Sequence, residues 1–334
     1  MAIPKSYKNN IAEGKGILVF SIVCAVIIRF VYYGWGGEPS VDWSDSPIGT
    51  LLFNLFSNSF ISFIASGISV VCLALLAAYI NTTNLLIRRR TLLPSAIIIL
   101  LFSCHPSFIY MSPQYFGVLA VMYVISLLFV SYNATNKSIA AFASGFVLAV
   151  GSLFSPVLIL YYLVLWLGLA LMRCFSLKSF LATILSCVMV YFPVYSIFLF
   201  VGELNTLYDC FSSFAVVQLL DFPVLDFSIS QWAIILCFFL VFGIIMADNY
   251  VNRYKDKIKV RAYLSLLALF VSVGFLLFAL LNITPLMSLY VVLAAGALLL
   301  GHFFALAEQK VTTMLFYFLG VVYLFICFLP FLSF

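Results

Sequence analysis

Three carboxylates lie close together in the first polar segment after an apolar run: Glu38, Asp42 and Asp45. Asp45 comes just before an amphipathic pattern, and the positive end of a helix there would keep it ionised. A carboxylate beside a lipid-facing cavity could accept a proton from a hydroxyl, or hold a divalent metal. Solvated loop acids that cap a helix are the alternative. We take Asp42 and Asp45 as candidate catalytic residues or metal ligands, and Glu38 as a candidate binding residue.

Arg29 is a strongly basic residue inside the first apolar run. An arginine within a membrane span costs about 2.5–3.5 kcal/mol at mid-bilayer, but Trp35 follows closely, so the guanidinium can extend to the interface. Its planar, five-donor head suits a phosphate or a carboxylate. Arg29 is therefore a candidate phosphate-binding residue. An interfacial anchor, or a structural partner of an acid such as Asp42, is the alternative.

His105, Gln114 and Tyr115 occupy a second polar turn at the same predicted depth as Arg29. Pro106 and Pro113 free backbone carbonyls in this turn. A histidine that titrates near neutrality could contact a phosphate or move a proton, whereas a hydrogen-bonded histidine in an interfacial aromatic belt is the alternative. These three residues are candidate substrate- or phosphate-binding groups.

The composition determines the class of solvent in which these groups act. Hydrophobic residues make up 66% of the 334 residues and charged residues only 8%, against roughly 25% charged in soluble domains. No polar interval exceeds about 30 residues, a length too short for a separate soluble domain. The sequence predicts an all-α polytopic transmembrane bundle forming one integral-membrane domain over residues 1–334.

The charges are segregated in a way that predicts the topology. All sixteen Lys and Arg residues except Arg29 can be placed on one side of a membrane, which the positive-inside rule identifies as cytoplasmic. The N-terminus is then cytoplasmic and the C-terminus outside. The outer loops hold seven of the eleven carboxylates: Glu38, Asp42, Asp45, Glu203, Asp209, Asp221 and Asp226.

About eleven spans fit this topology. Residues 139–172 could form one long span or two short ones, and two helices hinged at Ser155-Pro156 keep the basic loops on one side. The predicted spans are 16–33, 59–80, 92–110, 115–131, 139–155, 157–172, 180–200, 231–247, 262–281, 286–305 and 312–333.

Two outer loops are long enough to fold. In the first, Asp45 and Ser46 precede Pro47, a pattern typical of a helix start. Apolar residues follow at positions 48, 51, 52, 55 and 56, which predicts an amphipathic helix in the membrane interface. The second loop, 201–230, has an apolar middle between acidic ends.

Several function classes are disfavoured. The net charge of +5 comes from short clusters next to apolar runs, which is typical of membrane orientation and not of nucleic-acid binding. The eight cysteines include no C-x-x-C pair and no histidine at ligand spacing. Carboxylates are absent from the predicted spans, which disfavours an ion-coupled transporter. His302 is interpreted as structural.

The layout of residues 16–200 resembles GT-C-type glycosyltransferases. The resemblance consists of the first span, the acidic outer loop with its helix, the segment LLFSCHPSFIYMSP and the hairpin SGFVLAVGSLFSPVLILYYLVLWL. It implies a polyprenyl-phosphate-linked sugar donor, a first-loop acid as catalytic base or metal contact, and basic residues on the lipid phosphate. Asp42 and Asp45 match the first-loop acid.

We therefore expect a GT-C-like core at 16–200, an outer loop at 201–230 and C-terminal helices at 231–334, in a bacterial-type inner membrane. The expected function is transfer of a sugar from a polyprenyl phosphate to a cell-envelope acceptor on the outer side. A non-enzymatic scaffold or accessory subunit with a membrane-protein partner is the first alternative. A transporter of lipids or small solutes is the second. The expected partners are membrane lipids and the sugar donor, not nucleic acid.

Overall fold

The computed structural model describes residues 7, 14, 16–35, 43, 46, 48–89, 91–202, 205, 207–208, 211, 229–252, 256–280, 285–307 and 310–332. This part of the chain is helical and contains no strand. In chain order its helices are α1 (Gly16–Gly34), α2 (Gly49–Phe56), α3 (Ser59–Asn84), α4 (Leu93–Leu101), α5 (Pro113–Val130), α6 (Lys137–Ser152), α7 (Tyr161–Leu171), α8 (Leu177–Val201), α9 (Ile229–Val251), α10 (Ile258–Leu280), α11 (Pro285–Ala305) and α12 (Lys310–Leu332).

Seven helices of the described part are long and apolar enough to cross a membrane: α1, α3, α5, α8, α10, α11 and α12. A bilayer core of about 30 Å requires roughly 20 apolar residues in a helix. The chain is therefore a multi-pass membrane protein. Shorter apolar helices cover Lys137–Ser152, Pro156–Leu171 and Ile235–Asp248.

Helix α11 is the centre of the bundle, since 94% of its most apolar 18-residue stretch is buried. Apart from Ser288 and His302 near its two ends it is apolar, and it packs against α4, α5 and α10. Close approach depends on small residues: a Cβ on Gly301 would lie 2.5 Å from a ring carbon of Pro94. By contrast, only 11% of the most apolar 18-residue stretch of α8 and 17% of that of α12 are buried, so these helices lie at the periphery.

The chain reverses direction between α6 and α7, as predicted. The Tyr162 hydroxyl donates to the Gly145 carbonyl at 2.7 Å, and the Asn133 amide donates to the Met172 carbonyl at 3.3 Å. Residues before α6 thus meet residues after α7, which makes the helices antiparallel. Ser155 is extended before a 3-10 turn at Pro156–Leu160, because the residue before a proline avoids the helical region.

The continuous span predicted over 92–110 is wrong in one respect. Helix α4 has nine residues, about 13 Å at 1.5 Å per residue, and irregular backbone follows it. His105 is extended with φ −143° because Pro106 disfavours the helical conformation there. A single 3-10 turn, Pro106–Phe108, precedes α5. We call residues 102–112 the α4–α5 connection.

The first loop does contain a short helix, but it begins later than predicted. Helix α2 starts at Gly49, and its N-cap residue Ile48 makes no side-chain capping bond. Ile48, Leu52 and Phe56 pack against the core, whereas Leu55, predicted for the same face, is exposed. The predicted second loop at 201–230 lies mostly outside the described residues.

Candidate functional site

Arg29 reaches the bundle interior from α1 and is only 7% exposed. Its Nη1 donates to the Phe102 carbonyl at 3.3 Å, and its Nη2 donates to the Ile109 carbonyl at 3.1 Å and to the Ser66 hydroxyl. The guanidinium carbon also lies 5.7 Å from the centre of the Phe63 ring. The planar head therefore ties two points of the α4–α5 connection to α3.

Serines on one face of α3 complete these contacts. The Ser66 hydroxyl contacts the Ile109 carbonyl, and the Met111 amide donates to the Ser62 hydroxyl at 2.8 Å. Ser69 is the next residue on the same face, and its hydroxyl lies 3.5 Å from the sulfur of Met111. The spacing of four and three residues places these hydroxyls in one row facing the connection.

Two tyrosines satisfy further carbonyls of the connection. The Tyr32 hydroxyl lies 3.1 Å from the Cys104 carbonyl and 2.7 Å from the Cys327 carbonyl of α12. The Tyr115 hydroxyl donates to the Phe108 carbonyl at 2.5 Å. We call Arg29, Tyr32, Ser62, Ser66 and Tyr115, together with the connection, the Arg29 cluster.

The Arg29 cluster supplies hydrogen bonds that the backbone of the α4–α5 connection cannot obtain from water. Irregular backbone surrounded by apolar helices loses hydrogen bonds to water, and each unsatisfied group costs several kcal/mol in a membrane. A guanidinium offers five donors in a fixed plane, so one side chain can bond to carbonyls seven residues apart, at Phe102 and Ile109. These bonds offset the cost of burying Arg29 itself.

The three candidate residues of the second polar turn have different surroundings in the structure. Tyr115 belongs to the Arg29 cluster. His105 is buried, and its Nδ1 accepts a hydrogen bond from the Ser107 amide at 3.2 Å, so this nitrogen is the unprotonated one in the observed geometry. Gln114 is half-buried in the first turn of α5, and the hydrogen bonds of Arg29 go to other residues.

The predicted acids Glu38, Asp42 and Asp45 lie outside the described residues, so their distances from Arg29 are not defined. Two residues of the same loop, Trp43 and Ser46, belong to the described part of the chain. Trp43 is buried and its ring stacks on Phe56 of α2, with centres 5.4 Å apart. A Cβ on Gly49 would lie 1.8 Å from the Trp43 carbonyl oxygen, so only glycine permits this approach. Trp43, the chain neighbour of Asp42, is therefore part of the packed core.

Ser46 adds a polar group beside this anchor. Its side chain is buried, and its hydroxyl has no hydrogen-bond partner within the described part of the chain. A buried hydroxyl without a partner is unusual, because desolvation is then not offset. The same loop thus contains a fixed aromatic residue, a buried hydroxyl and, in the adjacent positions, two aspartates.

A second polar cluster lies at the other end of the bundle and was not predicted. The Asp256 carboxylate lies 3.3 Å from a guanidinium nitrogen of Arg88 and 3.8 Å from Nε2 of His302, and the Arg261 Nε donates to the Asp256 carbonyl at 2.8 Å. We call these four residues the Asp256 cluster. His302 is about 18 Å along α11 from Tyr290, whose hydroxyl lies 3.4 Å from that of Ser112 in the connection.

The signals for both clusters were present in the sequence. Asp256 is an isolated acid within the basic stretch 253–261, and His302 lies in an otherwise apolar run. Ser62, Ser66 and Ser69 recur on one helical face. Their partners could not be deduced, because they come from distant parts of the chain. Within the described residues, no group of three or more His, Cys, Asp or Glu side chains could hold a metal.

The fold and these clusters define the class as a polytopic helical membrane protein. No protein-family model, curated protein sequence or solved structure matches the chain.

Proposed function

We propose that the protein is a membrane glycosyltransferase that uses a polyprenyl-phosphate-linked sugar to modify a cell-envelope acceptor. The observation that carries the proposal is the anchoring of the acid-bearing first loop to the bundle by buried Trp43. A catalytic carboxylate requires a fixed position relative to its substrate. Asp42 and Asp45 flank Trp43 and Ser46, so anchoring of these neighbours supports a loop that works at the membrane surface.

The proposed topology has eleven crossings in a bacterial-type inner membrane, with the Arg29 cluster at the outer end and α2 in the outer interface. It is supported by the charges, because Arg88, Arg173 and Lys310 all border helix ends opposite the Arg29 cluster. Reporters inserted after Asp221 and after Asp256 test this topology, with opposite sides expected. Reporters found on one side would contradict it.

In the proposed reaction, Asp42 or Asp45 takes the proton of an acceptor hydroxyl. The hydroxyl oxygen forms a bond to the anomeric carbon of the sugar, and the bond from that carbon to the phosphate oxygen breaks. Polyprenyl phosphate leaves with the bonding electron pair. Donors placed at the developing phosphate charge would contribute most of the rate enhancement.

The contacts of Arg29 favour a positioning role in this reaction over the phosphate binding expected from the sequence. Its hydrogen bonds go to carbonyls and a hydroxyl of the protein itself, which supports a positioning role for the outer end of the bundle. His105, Gln114 and Glu38 remain proposed contacts of the donor. A divalent metal held by Asp42 and Asp45 remains an alternative to general-base chemistry.

Transfer of label from a panel of polyprenyl-phosphate-linked radioactive hexoses and pentoses, measured in membranes containing the protein, tests the proposal. Asp42→Asn and Asp45→Asn are compared with Asp226→Asn, an acid of the second outer loop. We expect the transfer rate of Asp42→Asn or Asp45→Asn to fall at least about a hundredfold. The Asp226→Asn control should keep the wild-type transfer rate. Full transfer in both loop variants would remove the proposed chemistry.

A non-enzymatic scaffold or accessory subunit is the second candidate, and it is favoured by the self-contained bonding of Arg29. This function predicts that Asp42 and Asp45 tolerate replacement. It also predicts that bulky substitutions on the exposed faces of α8 or α12 reduce copurification of a membrane-protein partner. Loss of transfer without loss of any partner would exclude it.

A further inference from the structure

The Asp256 end of the bundle contains a cavity that the proposed reaction does not use. It has a volume of about 470 Å³ and lies along α10, between the ends of α7 and α9. This volume is within the range of about 300–1,000 Å³ that is typical of ligand sites. The cavity lies at the opposite end of the bundle from the Arg29 cluster.

The wall of the cavity changes from polar to apolar along α10. Asp256, Arg261 and Ser265 line it at the helix start. Leu264 and Ala268 continue the wall, and Leu171 and Met246 face them from α7 and α9. Ser272 adds a single hydroxyl to the deeper part of the wall. The cavity therefore offers a charged mouth and a mostly apolar interior, the pattern that an amphipathic molecule requires.

Its length matches one leaflet. From Arg261 to Val273, both of which line the cavity, α10 rises about 18 Å. One leaflet contributes about half of the roughly 30 Å hydrocarbon core. A chain whose polar head lies at Arg261 would thus extend through one leaflet to about the bilayer middle.

The charge at the mouth favours an anion. The Asp256 carboxylate faces Arg88 at 3.3 Å and His302 at 3.8 Å, so its negative charge is offset locally. Arg261 adds a further positive charge on the cavity wall, and the exposed Lys257 and Lys259 are in the same segment. Asp248 of α9 also acts electrostatically on His302. The two carboxylates therefore balance Arg88 and Arg261, and the two lysines leave a net charge of +2 (four cations against two carboxylates).

We propose that this cavity binds one anionic phospholipid of the adjacent leaflet, with its phosphate at Arg261 and an acyl chain along α10. Arginine suits a phosphate because its planar head can donate two parallel hydrogen bonds. The apolar wall binds the chain through burial of hydrocarbon. The site belongs to the Asp256 end of the bundle, opposite the Arg29 cluster.

Native mass spectrometry of the full-length protein in detergent, titrated with phosphatidylglycerol, tests this proposal. Arg261→Gln should weaken retention about tenfold to a hundredfold, the value of one hydrogen bond to a charged group. Ala268→Trp should abolish retention by filling the apolar part. Lys310→Gln removes a charge from the same end outside the cavity wall and should leave retention unchanged.

Only variants with unchanged helix content are compared, and Ala268→Leu replaces the tryptophan variant if that one does not fold. Retention by the Arg261 and Ala268 variants at the wild-type level would overturn the proposal. Displacement of phosphatidylglycerol by millimolar inorganic phosphate would also overturn it, because the site would then hold a free anion. Equal retention of phosphatidylethanolamine would contradict the preference for an anionic lipid.

Discussion

The two connections on either side of α4 are both irregular backbone, yet different chemical groups hold them. In the first connection, described over residues 85–89 and 91–92, the Asn81 side chain accepts from the Ile87 amide at 3.1 Å and donates to the Thr91 carbonyl at 3.0 Å. Residues 102–112 are held by the charged Arg29. The first connection contains the partly exposed Arg88, so water is close. In the second connection Phe102 and Phe108 pack against the buried ring of Tyr290.

This difference explains why a buried charge is tolerated at one end of the bundle. A carboxamide has one acceptor oxygen and two donor hydrogens, and that of Asn81 joins the Ile87 amide to the Thr91 carbonyl. A guanidinium can join Phe102, Ile109 and Ser66 from a different helix. An arginine inside a membrane helix is therefore not sufficient evidence for a ligand site, because its contacts decide between structure and function.

The largest effect is expected from Arg29→Gln. This substitution leaves the Phe102 and Ile109 carbonyls without their charged donor, and hydrogen bonds to charged groups contribute about 1.5–3 kcal/mol each. We expect a loss of about 3 kcal/mol or more in the free energy of unfolding, measured by thermal unfolding in detergent. Arg29→Lys should recover only part, because an ammonium cannot reproduce the planar fork. Wild-type stability in Arg29→Gln would refute the structural role.

A smaller loss is expected at the other connection. Asn81→Ala removes both hydrogen bonds of the buried carboxamide and leaves the Ile87 amide and Thr91 carbonyl unpaired. We expect a loss of about 1–3 kcal/mol in the same unfolding measurement. Thr82→Ala, on the exposed face of α3, is the matched control and should change stability little. A loss equal to that of Arg29→Gln would remove the contrast between the connections.

Tyr32→Phe should separate the contribution of a neutral donor from that of the charge. Its hydroxyl bonds to carbonyls of the α4–α5 connection and of α12, and the ring, which stacks on Phe331, is retained by phenylalanine. We expect a loss of about 1 kcal/mol. A loss that matches Arg29→Gln would mean that the connection depends on any single hydrogen bond and not on the guanidinium.

The smallest effect is expected from Arg88→Gln. The Arg88 side chain is 47% exposed in its pair with Asp256, and exposed ion pairs contribute about 0–1 kcal/mol. The free energy of unfolding should therefore change by less than about 1 kcal/mol, and this change should become smaller at high salt. A loss of several kcal/mol would show that the Asp256 cluster is as important for stability as the Arg29 cluster.

Hydropathy and charge predicted most of the helical architecture because lipid requires continuous apolar helices. The reversal at Ser155-Pro156 followed from the positive-inside rule, and the contact between Tyr162 and Gly145 confirms it. The extended backbone at His105 could have been deduced from Pro106, since proline disfavours the helical conformation directly before it. The end of α4 at Leu101 lies earlier than this proline requires.

The clusters themselves could not be predicted, because their bonds join residues far apart in the chain. Arg29 meets Phe102 and Ile109 only after α1, α3 and α4 pack together. Sequence alone left open whether this arginine binds a phosphate, anchors α1 at the interface or pairs with an acid such as Asp42, and it did not indicate the backbone carbonyls. Asp256 meets His302 for the same reason, and its position in a basic stretch gave no indication of its partner.

Hydrogen–deuterium exchange of the backbone amides in residues 102–112, compared between the wild type and Arg29→Gln, tests the central claim about Arg29 most directly. If the guanidinium holds the α4–α5 connection, exchange should rise there, including at the Met111 amide bonded to Ser62. Exchange in residues 85–92, held by Asn81, should stay unchanged. Unchanged exchange in 102–112, in a variant that still folds, would contradict the claim and return Arg29 to the set of ligand-binding candidates.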